Sequence, residues 1–110
     1  MKISQKQNND VTILDINGDI DINSSPEMRE AFENIANAKT MKVVINLNEV
    51  SYVDSSGLAT LVEMLKKTRS YGGKMRLASL APKVKSLFEI TKLEKLFDIF
   101  DTEEDAGVNF

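Results

Sequence analysis

The chain has no cysteine, no histidine and no tryptophan, and only two prolines and five glycines among 110 residues. Without cysteine there is no disulfide and no thiol nucleophile. Without cysteine and histidine there is no zinc-finger site and no Ser-His or Cys-His catalytic pair. The commonest general base at physiological pH is missing as well. An enzyme built on this sequence would have to use carboxylates, lysines or a bound cofactor. No window approaches the roughly 18 apolar residues of a membrane helix. The stretch from Met1 to Asp10 holds no apolar segment of signal-peptide length. A soluble, cytoplasmic protein with no membrane contact is the expectation.

What is present is an ordinary globular mixture, 42% hydrophobic and 28% charged. It suffices for one small domain over residues 1–110 and is too short for two. Seventeen acidic and fourteen basic residues give a net charge of -3. That argues against direct nucleic-acid binding, for which a basic domain is usual. Residues 1–65 hold five basic and ten acidic residues, residues 66–100 hold nine and three, and the last ten hold four acidic ones. The plain reading is a set of solvated surfaces. The sharper one is an acidic and a basic face that orient a protein partner.

Strand and helix periods alternate along the chain. Val11-Thr-Ile-Leu-Asp-Ile16 reads as a strand closed by the Asn17-Gly18 turn, with residues 2–7 as an edge partner. Ser24-Ser25-Pro26-Glu27 reads as a serine-capped helix start, and Met28, Ala31, Phe32 and Ile35 form its core stripe. Met41-Lys-Val-Val-Ile-Asn-Leu47 reads as a strand buried on both faces. Residues 57–71 read as a helix with Leu58, Leu61, Val62 and Leu65 inward, stopped by Gly72-Gly73. Lys74 to Ala78 is a further strand. A third helix opens at Pro82, with Val84, Leu87, Phe88 and Thr91 on one face, and Leu96 to Phe100 is the last strand. The end, from about 106 to 110, is expected to fray. Such alternation implies an α/β fold with parallel crossovers, and the initial hairpin makes the sheet mixed.

The chemistry concentrates in Asn46-Leu-Asn-Glu-Val-Ser-Tyr-Val-Asp-Ser-Ser-Gly-Leu58. A buried strand ends, a short loop follows, and Asp54-Ser55-Ser56-Gly57 stands at a helix start. That edge of an open α/β sheet is where ligands and partners dock. Asp and Ser also serve simply as helix caps. The alternative is an outward hydroxyl that accepts phosphate, adding roughly -1.5 to -2 charges. A helix N-terminus tolerates that charge.

With these motifs in place, the sequence resembles the bacterial anti-sigma factor antagonists, which are stand-alone STAS domains. Val53-Asp54-Ser55-Ser56-Gly57-Leu58 after Val43-Val-Ile-Asn-Leu47 matches the family's phosphorylation motif. Gly18-Asp-Ile-Asp21 matches its earlier turn. Gly72-Gly73-Lys74 with the strand after it, and Val84-Lys-Ser-Leu-Phe88 with Leu93 to Phe100, match its later segments. One position departs, with Ala59 where many relatives have glycine. The resemblance implies a mixed, mostly parallel sheet of four or five strands covered by about four helices. It also implies a partner switch and no enzymatic activity. The unmodified protein binds an anti-sigma factor that is a serine kinase and thereby releases a sigma factor. Phosphorylation of Ser55, by ATP bound to the partner, ends the binding. A serine phosphatase of the PP2C type resets it. The implied partner-binding residues are Asp19, Asp21, Asn23, Asp54, Ser55, Ser56, Gly57 and Thr60, with Asp54 orienting the loop and Ser56 the second-choice acceptor. No metal and no cofactor of its own is implied, and the chain is expected as a monomer or weak dimer.

Three other readings stand beside this one. A response-regulator receiver would place its phosphate on Asp54, although Asp19 and Asp21 are wrongly spaced for its magnesium site. A related STAS domain would serve a stress-signalling assembly or a lipid transporter. A small enzyme would need Ser55 beside a lysine, and Lys66 is three turns along the helix.

Overall fold

Each run rich in β-branched residues becomes a strand of one sheet. In the computed structural model, which describes residues 1–110, β1 (Lys2–Asn8), β2 (Val11–Asn17), β3 (Lys42–Glu49), β4 (Lys74–Ala78) and β5 (Asp98–Phe100) are ordered β1-β2-β3-β4-β5. The polar strand β1 is an edge, antiparallel to β2. All other pairs are parallel. The parallel connections run through α1 (Ser25–Asn37), α2 (Ser55–Ser70) and α3 (Pro82–Ile90). Right-handed crossovers in a strand order that never reverses place these three helices on the same face. A fourth short helix, α4 (Glu103–Ala106), covers part of the other face. The expected mixed α/β sheet is thus present.

The period of two divides each strand between the faces. Leu14, Ile16, Val43, Ile45, Leu47, Met75 and Leu77 meet Met28, Phe32, Ile35, Leu58, Leu61, Leu65, Val84 and Phe88 in the main core. Val11, Ile13, Val44 and Ala78 form a smaller apolar strip behind, under Ala106. Burial of β3 on both sides follows from its place at the centre of the sheet.

Four local details differ from the sequence reading. The Ser24 hydroxyl makes no capping bond to α1. Asp21 Oδ1 accepts the Asn23 and Ser24 amides instead, at 2.9 and 3.0 Å. Ala31 is only half-buried, while Ala36 completes the α1 stripe. Thr91 is exposed, because α3 ends at Ile90 and its hydroxyl donates back to Leu87 O at 2.7 Å. The last strand is shortened by a 3₁₀ turn at Leu93–Lys95.

The last residues make contacts with Arg76. Arg76 points to the open face and is 9% exposed. Its guanidinium donates to the carbonyls of Ala106, Val108 and Asn109 at 3.2, 2.6 and 2.7 Å. It also lies 5.0 Å from the centre of the Phe100 ring and 4.1 Å from that of Phe110. Glu103 anchors the start of this segment, accepting from Asn46 Nδ2 at 2.8 Å and pairing with Lys6 at 3.1 Å. Burial pushes the Glu103 carboxyl up, but the Asn46 and Lys6 contacts outweigh it and hold it below its usual value. Arg76→Met keeps most of the aliphatic stem and removes every donor. It is expected to cost about 1–3 kcal/mol, concentrated in this segment. Hydrogen exchange should quicken over residues 106–110 and stay slow in α2. Unchanged protection at the tail would contradict the clasp.

Candidate functional site

Strands β2 and β3 end at the same edge of the sheet, and their chains stay paired beyond it. Gly18 N donates to Glu49 O at 3.2 Å, Ile20 N to Tyr52 O at 2.9 Å, and Asp54 N to Ile20 O at 3.1 Å. An isolated parallel bridge joins Ile20 to Val53. Residues 18–24 and 50–54 are therefore a two-ply rim, anchored by the buried Ile20, Val50 and Val53.

Asp54 joins this rim to α2. In an extended conformation at the N-cap, it accepts the Gly57 amide on Oδ1 at 2.8 Å. Its Oδ2 accepts the Ile22 amide at 3.3 Å. One carboxylate thus caps the helix and holds the neighbouring loop. The loop is braced internally as well. Ser24 Oγ donates to Asp19 O at 2.7 Å, and Ser25 Oγ donates to Asp21 O at 2.7 Å. Thr60 Oγ1 lies 3.0 Å from both Ser25 Oγ and Ser56 O, linking the starts of α1 and α2.

Ser55 is the first residue of α2 and is exposed. Its hydroxyl takes no part in these hydrogen bonds, and the Ser55 and Ser56 amides have no acceptor in the chain. Residues 18–28 and 50–65 contain no lysine or arginine. The edge therefore presents a free hydroxyl over unpaired helix amides, among the carboxylates of Asp19, Asp21 and Asp54. A phosphate on Ser55 would sit at the favourable end of the helix dipole.

Of the residues expected to face a partner, Asp19, Asn23 and Ser55 are exposed, and Asp21, Asp54 and Ser56 are half-buried. Gly57 and Thr60 are buried beneath them. A Cβ on Gly57 would lie 2.2 Å from Ile20 O, so its role is to let α2 approach the rim. Thr60 braces the helix starts from beneath.

Two residues that the sequence reading missed belong to the rim. Ile22 is 69% exposed and Tyr52 is 53% exposed, one on each ply. The available signal was an apolar residue inside a polar turn, Asp21-Ile22-Asn23, with no core-facing period to serve. The groove between α1 and α2, about 360 Å³ and crossed by the Arg29–Glu63 ion pair at 2.9 Å, includes none of these rim residues.

The strand order also bears on the receiver reading. Receivers are doubly wound, with order 2-1-3-4-5, whereas this sheet runs in simple sequence order with three helices on one face. Fold and rim together define a mixed α/β domain whose exposed serine stands at a helix start. The chain belongs to the STAS domain family, whose model matches residues 2–106. It is 33% identical over 108 residues to the anti-sigma-B factor antagonist of Bacillus subtilis, covering 98% of this chain and 97% of that one. It is 30% identical over 109 residues to the protein of the same name from Listeria monocytogenes, covering 99% and 95%. A crystal structure of a Thermotoga maritima protein superposes with a TM-score of 0.89 at 30% identity, covering 94% of this chain and 90% of that one. No helix is long and apolar enough to cross a membrane.

Proposed function

We propose that this chain is an anti-sigma factor antagonist of the cytoplasm, acting as a monomer or weak dimer and switched by phosphate at Ser55. The observation that carries the reading is the placement of Ser55. It is the exposed first residue of α2, next to the Asp54 cap, on a rim without lysine, arginine or histidine. The names of the relatives in Bacillus subtilis and Listeria monocytogenes supply the partner class.

The unmodified rim binds an anti-sigma factor with serine kinase activity. In the forward step the Ser55 oxygen attacks the γ-phosphorus of ATP held by that kinase. The bond to the β,γ-bridging oxygen breaks, ADP leaves, and the hydroxyl proton passes to a base on the kinase. The added charge and bulk end a close-fitting contact. A serine phosphatase of the PP2C type directs water at the phosphorus, which releases inorganic phosphate and restores the hydroxyl. In this chain Asp54 positions both the serine and the adjoining loop, and Ser56 is the neighbouring hydroxyl that the kinase passes over.

Incubation with the kinase and ATP, followed by peptide mass spectrometry, tests the assignment. One phosphate is expected on Ser55 and none in Ser55→Ala. Undiminished incorporation in that variant would overturn it, and loss only in Ser56→Ala would move the acceptor by one residue.

A further inference from the structure

Large apolar residues scattered singly over a surface are ordinary. Ile22 and Tyr52 are not scattered. They occupy the two plies of one rim, whose backbones are joined at Ile20 N–Tyr52 O and Asp54 N–Ile20 O, 2.9 and 3.1 Å. Ile22 is fixed by its amide bond to the Asp54 cap, so its position is coupled to the turn that carries Ser55. Neither side chain supports the fold, since both project into solvent while Ile20 and Val53 beside them fill the core. Of the other large exposed apolar residues, Met1 lies against Gly18 at one end of the rim, and Met41, Ile90 and Val108 lie on other parts of the chain.

We propose that Ile22 and Tyr52 are the anchors of the partner interface and that Ser55 is its switch, so that affinity and regulation reside in different residues of one rim. The inference rests on the function proposed above. Apolar and aromatic anchors at the centre of an interface contribute most of the binding free energy, surrounded by contacts that exclude water. A serine hydroxyl next to the Asp54 cap adds little affinity while unmodified. The chemistry of the opposing surface follows from the rim. Asp19, Asp21 and Asp54 carry negative charge there, and residues 18–28 and 50–65 hold no lysine or arginine. The surface that fits is an apolar cleft on the kinase, bordered by lysine or arginine. Complementary charge of that kind speeds association and makes it sensitive to salt.

The test uses the kinase identified by its transfer of phosphate to Ser55. Binding is measured by calorimetry in the Ser55→Ala background, which holds the switch open, and phosphorylation kinetics are measured with Ser55 intact. Ile22→Ala and Tyr52→Ala are each expected to weaken binding about 10- to 100-fold, which is the usual range for an anchor. KM should rise in parallel while kcat stays within about twofold, the sign of lost binding without lost chemistry. Melting temperatures should be unchanged, because both side chains are exposed, and Ile90→Ala should bind as the parent does. Parental affinity in both variants would overturn the inference, as would a fall in kcat at constant KM. A parent that no kinase phosphorylates at Ser55 would overturn the switch itself, an outcome distinct from failure of the anchors alone.

Discussion

Gly57→Ala is expected to destabilise the domain by about 2–3 kcal/mol, against the direction of helix propensity. In an ordinary exposed helical turn this change stabilises by about 0.5–1 kcal/mol. Here the new Cβ would lie 2.2 Å from Ile20 O, 2.8 Å from Ile20 Cγ2 and 2.9 Å from Ile20 C. Two of those atoms are backbone, and that backbone is held from both sides by Ile20 N–Tyr52 O and Asp54 N–Ile20 O. The clash cannot be relieved by turning one side chain. Either α2 retreats or the rim opens, and both outcomes separate Asp54 from Ile22. For a chain of this size the loss corresponds to a fall in Tm of roughly 10–20 °C. Thermal unfolding of the variant beside Ala59→Gly makes the measurement decisive. Ala59 is exposed two residues further along the same helix, and its replacement should cost only about 1 kcal/mol, as propensity dictates. A Gly57→Ala protein as stable as its parent would mean that the close approach of α2 to Ile20 is wrong.

Ser55→Asp is expected to fold normally and to lose partner affinity by about 100-fold, the scale of an unpaired charge buried against an apolar surface in an interface. Stability should be preserved because position 55 is the first residue of a sixteen-residue helix with free amides at its start. A carboxylate there gains about 0.3–1 kcal/mol from the helix dipole, offset in part by its neighbour Asp54. Ser55→Ala should instead bind as tightly as the unmodified parent, being neutral and small. The pair separates charge from simple loss of the hydroxyl. Equal affinity of Ser55→Asp and Ser55→Ala in calorimetry would refute electrostatic switching at this position. Reduced thermal stability of Ser55→Asp would show that the dipole argument fails here.

The features legible in the sequence were those in which period and burial coincide. Val43 to Leu47 is apolar on both alternations because β3 is central, and Leu58, Leu61 and Leu65 recur at helical spacing because one face of α2 lies on the sheet. The Asp54 cap was legible because acid and serine next to an apolar helical stripe have few other uses. The missed features depend on residues distant in the chain. A glycine at the third position of a helix resembles part of a cap, and only the fold brings Ile20 against Gly57. Thr60 reads as a surface residue until Ser25 supplies its hydroxyl with a buried partner. Arg76 fits the alternation of an exposed strand face, yet it is buried because three carbonyls of the final segment close over it. Phe110, at the very end, reads as loose until the guanidinium gives its ring something to stack on.

The basic residues of the chain's later half also take their place. Lys67 and Arg69 stand in the last turn of α2, where positive charge meets the helix dipole, at the opposite end of that helix from Ser55. The acidic rim and this basic end are thus held apart by the length of one helix. That separation exceeds the roughly 8 Å screening length at physiological salt, so the two charged regions act independently.

In the proposed switch the Ser55 rim binds an anti-sigma factor and releases it when phosphorylated. Calorimetric titration of the purified anti-sigma factor kinase with the unmodified chain and with the chain stoichiometrically phosphorylated at Ser55 tests it most directly. Saturable one-to-one binding of the unmodified form is expected, with at least about a 100-fold weaker interaction of the phosphorylated form. Equal affinities for the two forms would contradict it.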